Sequence, residues 1–432
     1  MRLPRVLACY ALALSVAATG GLRAEVHLTV GPLDQGAQHQ TIQSAVDAVP
    51  TGGAERYVID ILPGVYTARV IVPSDKPKIT LRGQDPLTTK ITFYETANTP
   101  PNESSVHATA VVRGADFVAE NLTFENSHGP GVQALAMYAK ADRLVFNNCR
   151  FLGWQDTLRS EHGRHYFHNV YVEGSVDFVY GRGTAYFEDS TLFAKSAGYV
   201  TAQARESSGD TDGYVFKNTA VTGSANPGSV YLGRPWQKYS RTVFIDSKLG
   251  AVVNRAGWSA WSGNNNHLTA YYAEHNSTDL GGEPLDLSGR VAWSHQLTAA
   301  EAEAYSKENW LGGADGWSPV AFAIPALPGD YNADGAVDAA DYTVWRDAAD
   351  AADAGATLTN EAATPGVADA EDYAVWTHYF GRRLAGGAAT AAAPEPAAAA
   401  GAVCCLTASL CRSRRRCVAK SCLLLSVNER GR

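Results

Sequence analysis

Two aspartates and two glutamines have the spacing of a catalytic cluster. Asp156 and Asp177 are 21 residues apart, Gln155 adjoins the first of them, and Gln133 precedes it by a similar interval. Two carboxylates held close together cannot both ionise freely, so the pKa of one rises, which separates a protonated acid from an ionised base or nucleophile. The glutamine amides could donate hydrogen bonds to a developing oxyanion. The four residues therefore predict acid and base chemistry at a centre that develops negative charge.

The chain has an internal repeat that can bring these residues together. An aromatic residue, one residue and then Asn or Asp recurs in short β-rich runs: Phe124 and Asn126, Phe146 and Asn148, Phe167 and Asn169, Phe187 and Asp189, Phe216 and Asn218, Phe244 and Asp246. The period of 20 to 29 residues is too short for a propeller blade and lacks the helices of βαβ units. We therefore expect a parallel β-helix with inward aromatic, Asn and Asp residues; a β-sandwich of regular hairpins is the alternative.

Stacked coils also predict the layer of the cluster. Gln133 lies nine residues after Phe124, whereas Asp156 and Asp177 each lie ten residues after the phenylalanine of their own coil. Because successive coils are about 4.8 Å apart, we expect Gln133, Asp156 and Asp177 to lie side by side on the outer face.

Five segments closely resemble the signature segments of the pectin methylesterases, the carbohydrate esterases that demethylate homogalacturonan. They are QALAM (133–137), GWQDTL (153–158), GSVDFVYG (174–181), YVTAQ (199–203) and YLGRPW (231–236). The flanking segments from about residue 27 to residue 318 agree in the same order. The resemblance implies an all-β catalytic domain with a right-handed parallel β-helix. It also implies hydrolysis of the methyl esters of pectin to pectate and methanol, without a cofactor for catalysis.

The resemblance further implies a role for each candidate. Asp177 is the nucleophile that forms an acyl-enzyme, and Asp156 protonates the departing methanol and then activates the water that deacylates. Gln133 and Gln155 hold the oxyanion. Arg234 keeps Asp177 ionised and oriented.

Substrate contacts are implied as well. Trp236 is expected to pack against a sugar face. Arg234 and Gln133 are expected to contact the substrate as well. The family has a hydroxyl residue ahead of the segment ENLTF, which is residues 120–124 here. That residue corresponds to Ser104 or Ser105.

Other functions compete with this interpretation. A relative that acts on another ester or thioester would use the same residues, and a non-catalytic polysaccharide-binding adhesin would share the β-helix. A serine hydrolase is disfavoured because the chain has no Gly-x-Ser-x-Gly segment. A metal site at His162, His165 and His168 is disfavoured because strand alternation sends the last two to opposite faces.

Composition separates the chain into segments. A net charge of −8 leaves no basic surface that could bind a nucleic acid.

Residues 1–24 resemble a secretory signal peptide. Residues 25–326 form the catalytic domain, which we expect to be monomeric. Cys149 is the single cysteine of that domain, so the domain cannot contain an internal disulfide.

Residues 329–383 resemble a type I dockerin, a small α-helical module with calcium loops. Asp330, Asn332, Asp334, Asp338 and Asp341 occupy the ligand positions of one loop, and oxygen ligands at this spacing suit Ca²⁺. The second copy has Glu361, Ala363 and Pro365 at its first three ligand positions, so it binds calcium weakly or not at all. The expected partner is a cohesin-like scaffold or another cell-surface component; an acidic helical pair without metal is the alternative.

Residues 384–432 form an alanine-rich linker followed by a tail. Pro394, Glu395 and Pro396, an apolar stretch and a cluster of arginines from Arg412 to Arg416 resemble a PEP-type bacterial sorting signal. The expected location is therefore outside the cell, with the tail directing attachment to the cell envelope.

Overall fold

The computed structural model describes residues 25–100, 107–319, 329–332, 335–350, 358, 368, 372–373, 376–377 and 380–381. The chain divides into two units, Met1–Pro325 and Ala326–Arg432. The predicted signal peptide (1–24) and tail (384–432) lie outside the described residues. No helix in the described ranges is long and apolar enough to cross a membrane.

The first unit is a parallel β-helix built from two large sheets. Sheet A contains β1 (Val26–Val30), β2 (Tyr57–Ile61), β5 (Ile79–Gly83), β8 (Val118–Glu120), β11 (Leu144–Asn147), β14 (Arg164–His168), β16 (Thr184–Glu188), β18 (Gly213–Lys217), β21 (Arg241–Ile245), β23 (Tyr271–His275) and β24 (His295–Gln296). Sheet B contains β3 (Gly64–Thr67), β4 (Val70–Val72), β6 (Thr89–Phe93), β7 (Ala110–Val112), β9 (Thr123–Asn126), β10 (Met137–Ala139), β12 (Arg150–Leu152), β13 (Leu158–Ser160), β15 (Tyr171–Gly181), β17 (Thr191–Gln203), β19 (Ala220–Gly223), β20 (Val230–Gly233) and β22 (Lys248–Leu249). Neighbouring strands come from successive coils, which confirms the stacked-coil prediction over the β-sandwich.

A ladder of phenylalanines fills the core beneath sheet A. Phe146, Phe167, Phe187, Phe216 and Phe244 are register partners in successive coils, and their ring centroids are 4.8, 4.3, 4.6 and 4.4 Å apart. All five rings are fully buried, so stacking adds to the stabilisation that burial gives.

The prediction that Phe124 belongs to this ladder was wrong. Phe124 lies in β9 of sheet B, where it pairs with Phe151, and Ala119 takes the ladder position of its coil. The sequence pattern misled because Phe124 also precedes an asparagine by two residues. The asparagine at the bend of that coil is Asn121, which comes earlier in the chain.

The bends after sheet A carry a second ladder, of Asn and Asp residues with left-handed backbone: Asn121, Asn148, Asn169, Asp189, Asn218, Asp246 and Asn276. These side chains are partly or fully exposed. The prediction of an inward side chain that bonds backbone is confirmed for Asn126, which is buried and donates to the carbonyls of Glu95 and Leu135. Asn148 donates to Asn121 over 2.8 Å, and Asn276 donates to Asp246 over 2.8 Å. Asn and Asp suit these bends because they tolerate positive φ better than other side chains do.

Three short α-helices accompany the β-helix in the described part of this unit: α1 (Ile42–Ala48), α2 (Ala299–Glu303) and α3 (Lys307–Leu311). Thr41 caps α1, and Thr298 with Glu301 forms a capping box on α2. Trp310 of α3 donates from its indole to the carbonyl of Ala185 over 3.1 Å. Helices α2 and α3 thus cover part of the outer face of sheet A.

The second unit contains α4 (Ala339–Asp350) and an aromatic cluster. The ring centroids of Tyr342 and Tyr373, which occupy equivalent positions of the two sequence copies, are 6.2 Å apart. Trp345 contacts Tyr373 with centroids 4.9 Å apart, and Trp376 donates to the carbonyl of Asp338 over 2.8 Å. The described residues of the two copies therefore pack against each other.

Candidate active site

The two aspartates lie on adjacent coils of sheet B. Asp177 lies within β15, Asp156 lies two residues before β13, and the register pairs Leu158 with Val179. The backbone N–H of Asp156 donates to the carbonyl of Val176 over 3.1 Å. Both aspartates have left-handed backbone, with φ of 64° and 51°. Such a conformation costs free energy in a residue other than glycine, and it interrupts the alternation of side chains along the strand.

Arg234 fixes the carboxylate of Asp177. Its Nε donates to Asp177 Oδ1 over 2.9 Å and its Nη2 donates to Oδ2 over 2.6 Å. The guanidinium also lies 3.9 Å from the ring centroid of Tyr199 and 4.1 Å from that of Trp261. This bidentate, stacked arrangement holds the Asp177 carboxylate in one orientation.

The environment gives the two carboxyl groups different proton affinities. Burial and the negative charge of Asp177 raise the pKa of Asp156 to about 8, although the charge of Arg159 and a hydrogen bond with Tyr180 oppose the shift. Burial also raises the pKa of Asp177, but its hydrogen bonds and ion pair with Arg234 counteract this effect. Asp177 therefore ionises first, and Asp156 keeps its proton at neutral pH.

Gln133 and Gln155 line the same cleft. They form a parallel bridge with each other, so Gln133 stands in register with Gln155 and is offset by one residue from Asp156. The cleft has a volume of about 290 Å³. It is lined by Gln133, Gln155, Asp156, Asp177, Tyr180, Ala202, Arg234, Trp236 and Trp261.

The structure thus brings together all six predicted cleft residues and adds aromatic neighbours. Trp236 is half-buried, and its ring centroid lies 6.0 Å from Tyr180 and 6.5 Å from Trp261. Tyr180, Tyr199 and Trp261 were not predicted as site residues, although each lies inside a segment that resembles the family. Their aromatic character within those segments was the available signal.

Gln203 secures the loop that carries Arg234 and Trp236. Its side-chain Oε1 accepts hydrogen bonds from the backbone N–H groups of Arg205 and Arg241 over 2.9 and 2.8 Å. Its backbone carbonyl accepts the N–H of Trp236 over 3.2 Å. Because Gln203 is fully buried, these contacts tie both ends of the loop to the end of β17.

The other candidates lie elsewhere. His162 is exposed, His165 is buried and its Nδ1 is 2.7 Å from Ser160 Oγ, and His168 Nδ1 is 2.8 Å from Asn147 Oδ1. Ser104 and Ser105 lie outside the described residues.

The candidate calcium ligands belong to the second unit. Asp330, Asp338 and Asp341 are buried, and Asn332 is exposed. The carboxylate of Asp341 accepts the backbone N–H groups of Asn332 and Asp338 over 3.1 and 2.8 Å. Asp334 lies outside the described residues. Among the residues that the structure describes, no group of three Asp, Glu, His or Cys side chains could hold a metal ion.

Comparison with known proteins relates this chain to one enzyme family. The model of the pectinesterase family matches residues 28–314. Pectinesterase 31 of Arabidopsis thaliana is 39% identical over 279 residues, which cover 62% of this chain and 87% of that protein. The carrot pectin methylesterase structure has a TM-score of 0.62 and 31% identity over 69% of this chain and 97% of its own. The Aspergillus niger pectin methylesterase has a TM-score of 0.60 and 29% identity, and the alignment covers 66% and 93% of the two chains.

The family match spans nearly all of the β-helix, including both aspartates and Arg234. The fold is the right-handed parallel β-helix of the solved pectin methylesterases. The chain therefore belongs to the pectinesterase family of carboxylic ester hydrolases.

Proposed function

We propose that this pectin methylesterase cleaves the methyl esters of homogalacturonan with Asp177 as nucleophile and Asp156 as acid and then base. The observation that carries the proposal is the contrast between the two carboxyl groups. Asp177 is held ionised by the bidentate contact with Arg234, whereas the adjacent Asp156 has a pKa raised to about 8. An ionised nucleophile beside a protonated acid is the arrangement that acyl transfer at neutral pH requires.

The first half-reaction forms an acyl-enzyme. A carboxylate oxygen of Asp177 attacks the ester carbonyl carbon, and the amides of Gln133 and Gln155 donate to the oxygen that becomes negative. The bond from carbon to the methoxy oxygen then breaks as Asp156 gives its proton to that oxygen. Methanol leaves, and the galacturonyl group remains joined to Asp177 as an anhydride.

The second half-reaction restores the enzyme. Asp156, now ionised, takes a proton from a water molecule as that water attacks the galacturonyl carbonyl carbon. The bond to Asp177 breaks, which releases pectate, regenerates the Asp177 carboxylate and leaves Asp156 protonated. The half-buried rings of Trp236 and Trp261 offer apolar faces for the adjacent sugars.

The test compares substrates for the full-length chain. Methanol release from methyl-esterified polygalacturonate should greatly exceed hydrolysis of small acyl esters and thioesters of matched concentration. Faster turnover of the small esters would favour a relative with another acyl substrate. Saturable pectin binding without any methanol would favour a polysaccharide-binding adhesin and contradict the proposal.

For the second unit we propose a calcium-binding, dockerin-like tethering module in which Ca²⁺ is bound by Asp330, Asn332, Asp334, Asp338 and Asp341. The burial of Asp330, Asp338 and Asp341 supports this proposal, because a buried carboxylate is costly unless hydrogen bonds or a cation compensate its charge. Ca²⁺ would neutralise them and order the loop. A cohesin-like scaffold or another cell-surface component is the proposed partner.

Calcium titration of the full-length chain tests this module. Asp341→Asn should weaken Ca²⁺ binding, whereas Asp347→Asn, an exposed residue of α4, should not. Equal binding by both variants would contradict the ligand set. We further propose that residues 1–24 direct export and that residues 384–432 direct attachment to the cell envelope, which fractionation of expressing cells would test.

A further inference from the structure

A tyrosine hydroxyl lies beside the carboxyl group that serves as acid and base in the proposed mechanism. Tyr180 and Asp156 both line the catalytic cleft, and Tyr180 follows Asp177 by three residues in β15. Tyr180 is only 4% exposed, its hydroxyl oxygen is buried, and a hydrogen bond joins it to Asp156. A buried hydroxyl is costly unless it has a hydrogen-bonding partner, and the carboxyl of Asp156 is such a partner.

Contacts of the Tyr180 ring hold it in this position without the hydroxyl. The strand register pairs Tyr180 with Arg159 of the adjacent coil, and the guanidinium of Arg159 lies 5.4 Å from the centroid of the Tyr180 ring. The ring centroid of Trp236 lies 6.0 Å from that of Tyr180. Because these contacts involve the ring face and edge, removal of the oxygen alone should leave the ring in place.

Several groups act on the carboxyl of Asp156 from the coils packed against it. Burial and the negative charge of Asp177 raise its pKa, whereas the positive charges of Arg159 and Arg234 lower it. The hydrogen bond with Tyr180 also lowers this pKa. A phenol that donates to a carboxyl group binds the ionised form more strongly than the protonated form, so Tyr180 favours the carboxylate.

The proposed reaction passes through this ionised form. Asp156 gives its proton to the departing methanol, so a negative charge develops on a buried carboxyl group while the acyl-enzyme forms. A carboxyl group has two oxygens, and one can accept from Tyr180 while the other carries the transferred proton. The hydrogen bond with Tyr180 then strengthens as the proton leaves. An interaction that strengthens toward the transition state lowers the barrier.

We propose that Tyr180 is a positioning residue of the reaction, whose hydroxyl donates to one carboxyl oxygen of Asp156, directs the other toward the methoxy oxygen and stabilises the carboxylate that remains when methanol leaves. This inference rests on the proposed function and deepens it. The proton that methanol receives still comes from Asp156, and Tyr180 keeps its own proton throughout.

Two tyrosine variants separate this role from packing. Tyr180→Phe removes the hydroxyl and keeps the ring. Tyr138→Phe is the matched control, because Tyr138 is the register partner of Arg159 on the other neighbouring coil, is buried and has its ring centroid 5.1 Å from the same guanidinium. Tyr138 does not line the cleft. Both variants therefore remove a tyrosine hydroxyl near Arg159, but Tyr180→Phe removes the one that donates to Asp156.

Methanol release by the full-length variants is measured between about pH 5 and pH 9.5, after subtraction of spontaneous ester hydrolysis. For Tyr180→Phe, kcat/KM at neutral pH should fall about tenfold, because a hydrogen bond to a developing carboxylate is lost. KM should change less than about twofold, because the ring remains. The alkaline limb of kcat/KM reports the ionisation of the acid, and it should move up by about one pH unit, because loss of the donor raises the pKa of Asp156. Tyr138→Phe should leave the rate and the alkaline limb unchanged.

Carbon NMR of the full-length chain with labelled aspartate supplies a measurement without substrate. The signal of the Asp156 carboxyl is identified by its loss in Asp156→Asn. Its titration midpoint should rise by about one pH unit in Tyr180→Phe and stay in place in Tyr138→Phe. An unchanged midpoint in Tyr180→Phe, or equal losses of methanol release in the two tyrosine variants, would overturn the role of Tyr180. A raised midpoint in Tyr180→Phe, with no methanol release from any pectin by the unmodified chain, would instead contradict only the proposed function.

Discussion

Asp156→Asn should stabilise the folded protein increasingly as the pH rises. Burial and the charge of Asp177 raise the pKa of Asp156 to about 8 in the folded state, whereas an unfolded aspartate ionises near 3.9. Below about pH 4 the carboxyl is protonated in both states and contributes nothing to the pH dependence. Between about pH 4 and 8 the folded state holds one more proton than the unfolded state, so rising pH favours unfolding.

The magnitude follows from that single proton. The free energy of unfolding loses about 1.4 kcal/mol per pH unit from this group, or about 2.7 kcal/mol between pH 5 and pH 7. Asparagine has nearly the same shape and cannot ionise, so the variant lacks this loss. The difference in unfolding free energy between Asp156→Asn and the unmodified chain should therefore grow by about 2 to 3 kcal/mol over that interval.

Urea unfolding of the full-length chain at pH 5, 6 and 7 measures this difference. The comparison across pH cancels any constant effect of the substitution on packing. Asp177→Asn is the matched control, because it leaves the guanidinium of Arg234 without its carboxylate partner and should lower stability at all three pH values. A difference for Asp156→Asn that stays constant from pH 5 to pH 7 would refute the raised pKa and, with it, the assignment of Asp156 as the acid.

Three further predictions concern other parts of the molecule. Arg234→Lys keeps the positive charge but loses the bidentate contact with Asp177 and the stacking on Tyr199 and Trp261. The kcat for methanol release should therefore fall about 100-fold. A decrease below about threefold would contradict the role of Arg234 in orienting Asp177. Phe187→Ala opens a cavity between two stacked rings and should cost about 3 to 5 kcal/mol in urea unfolding, whereas Tyr94→Ala, 60% exposed, should cost less than about 1 kcal/mol. Removal of Ca²⁺ by EDTA should leave methanol release unchanged while lowering the melting temperature of the second unit; lost activity would contradict a tethering role.

The catalytic pair could be predicted because the coil length is regular where it matters. The phenylalanines of the coils that carry Asp156 and Asp177 are 21 residues apart, as are the two aspartates themselves. In a stacked fold, equal intervals bring side chains into register. The same reasoning failed one coil earlier, where Phe124 imitates the repeat but belongs to the other sheet.

The aromatic surroundings of Arg234 could not be predicted from spacing. Tyr199 and Trp261 lie 35 residues before and 27 residues after Arg234, and the later coils differ in length because of their outer loops. The left-handed backbone of the two aspartates was also beyond sequence reasoning, because alternation along a strand would have sent their side chains elsewhere. The contacts around Arg234 and the two aspartates depend on irregular turns, which change the direction of individual side chains.

Methanol release by Asp177→Asn tests the central claim most directly. The full-length variant is assayed on methyl-esterified polygalacturonate beside the unmodified chain, and circular dichroism verifies that the β-helix is intact. The proposed mechanism predicts that methanol release falls at least about 10⁴-fold, because an amide cannot attack the ester carbonyl as the carboxylate does. Release within about tenfold of the unmodified rate, by a folded variant, would contradict Asp177 as the nucleophile.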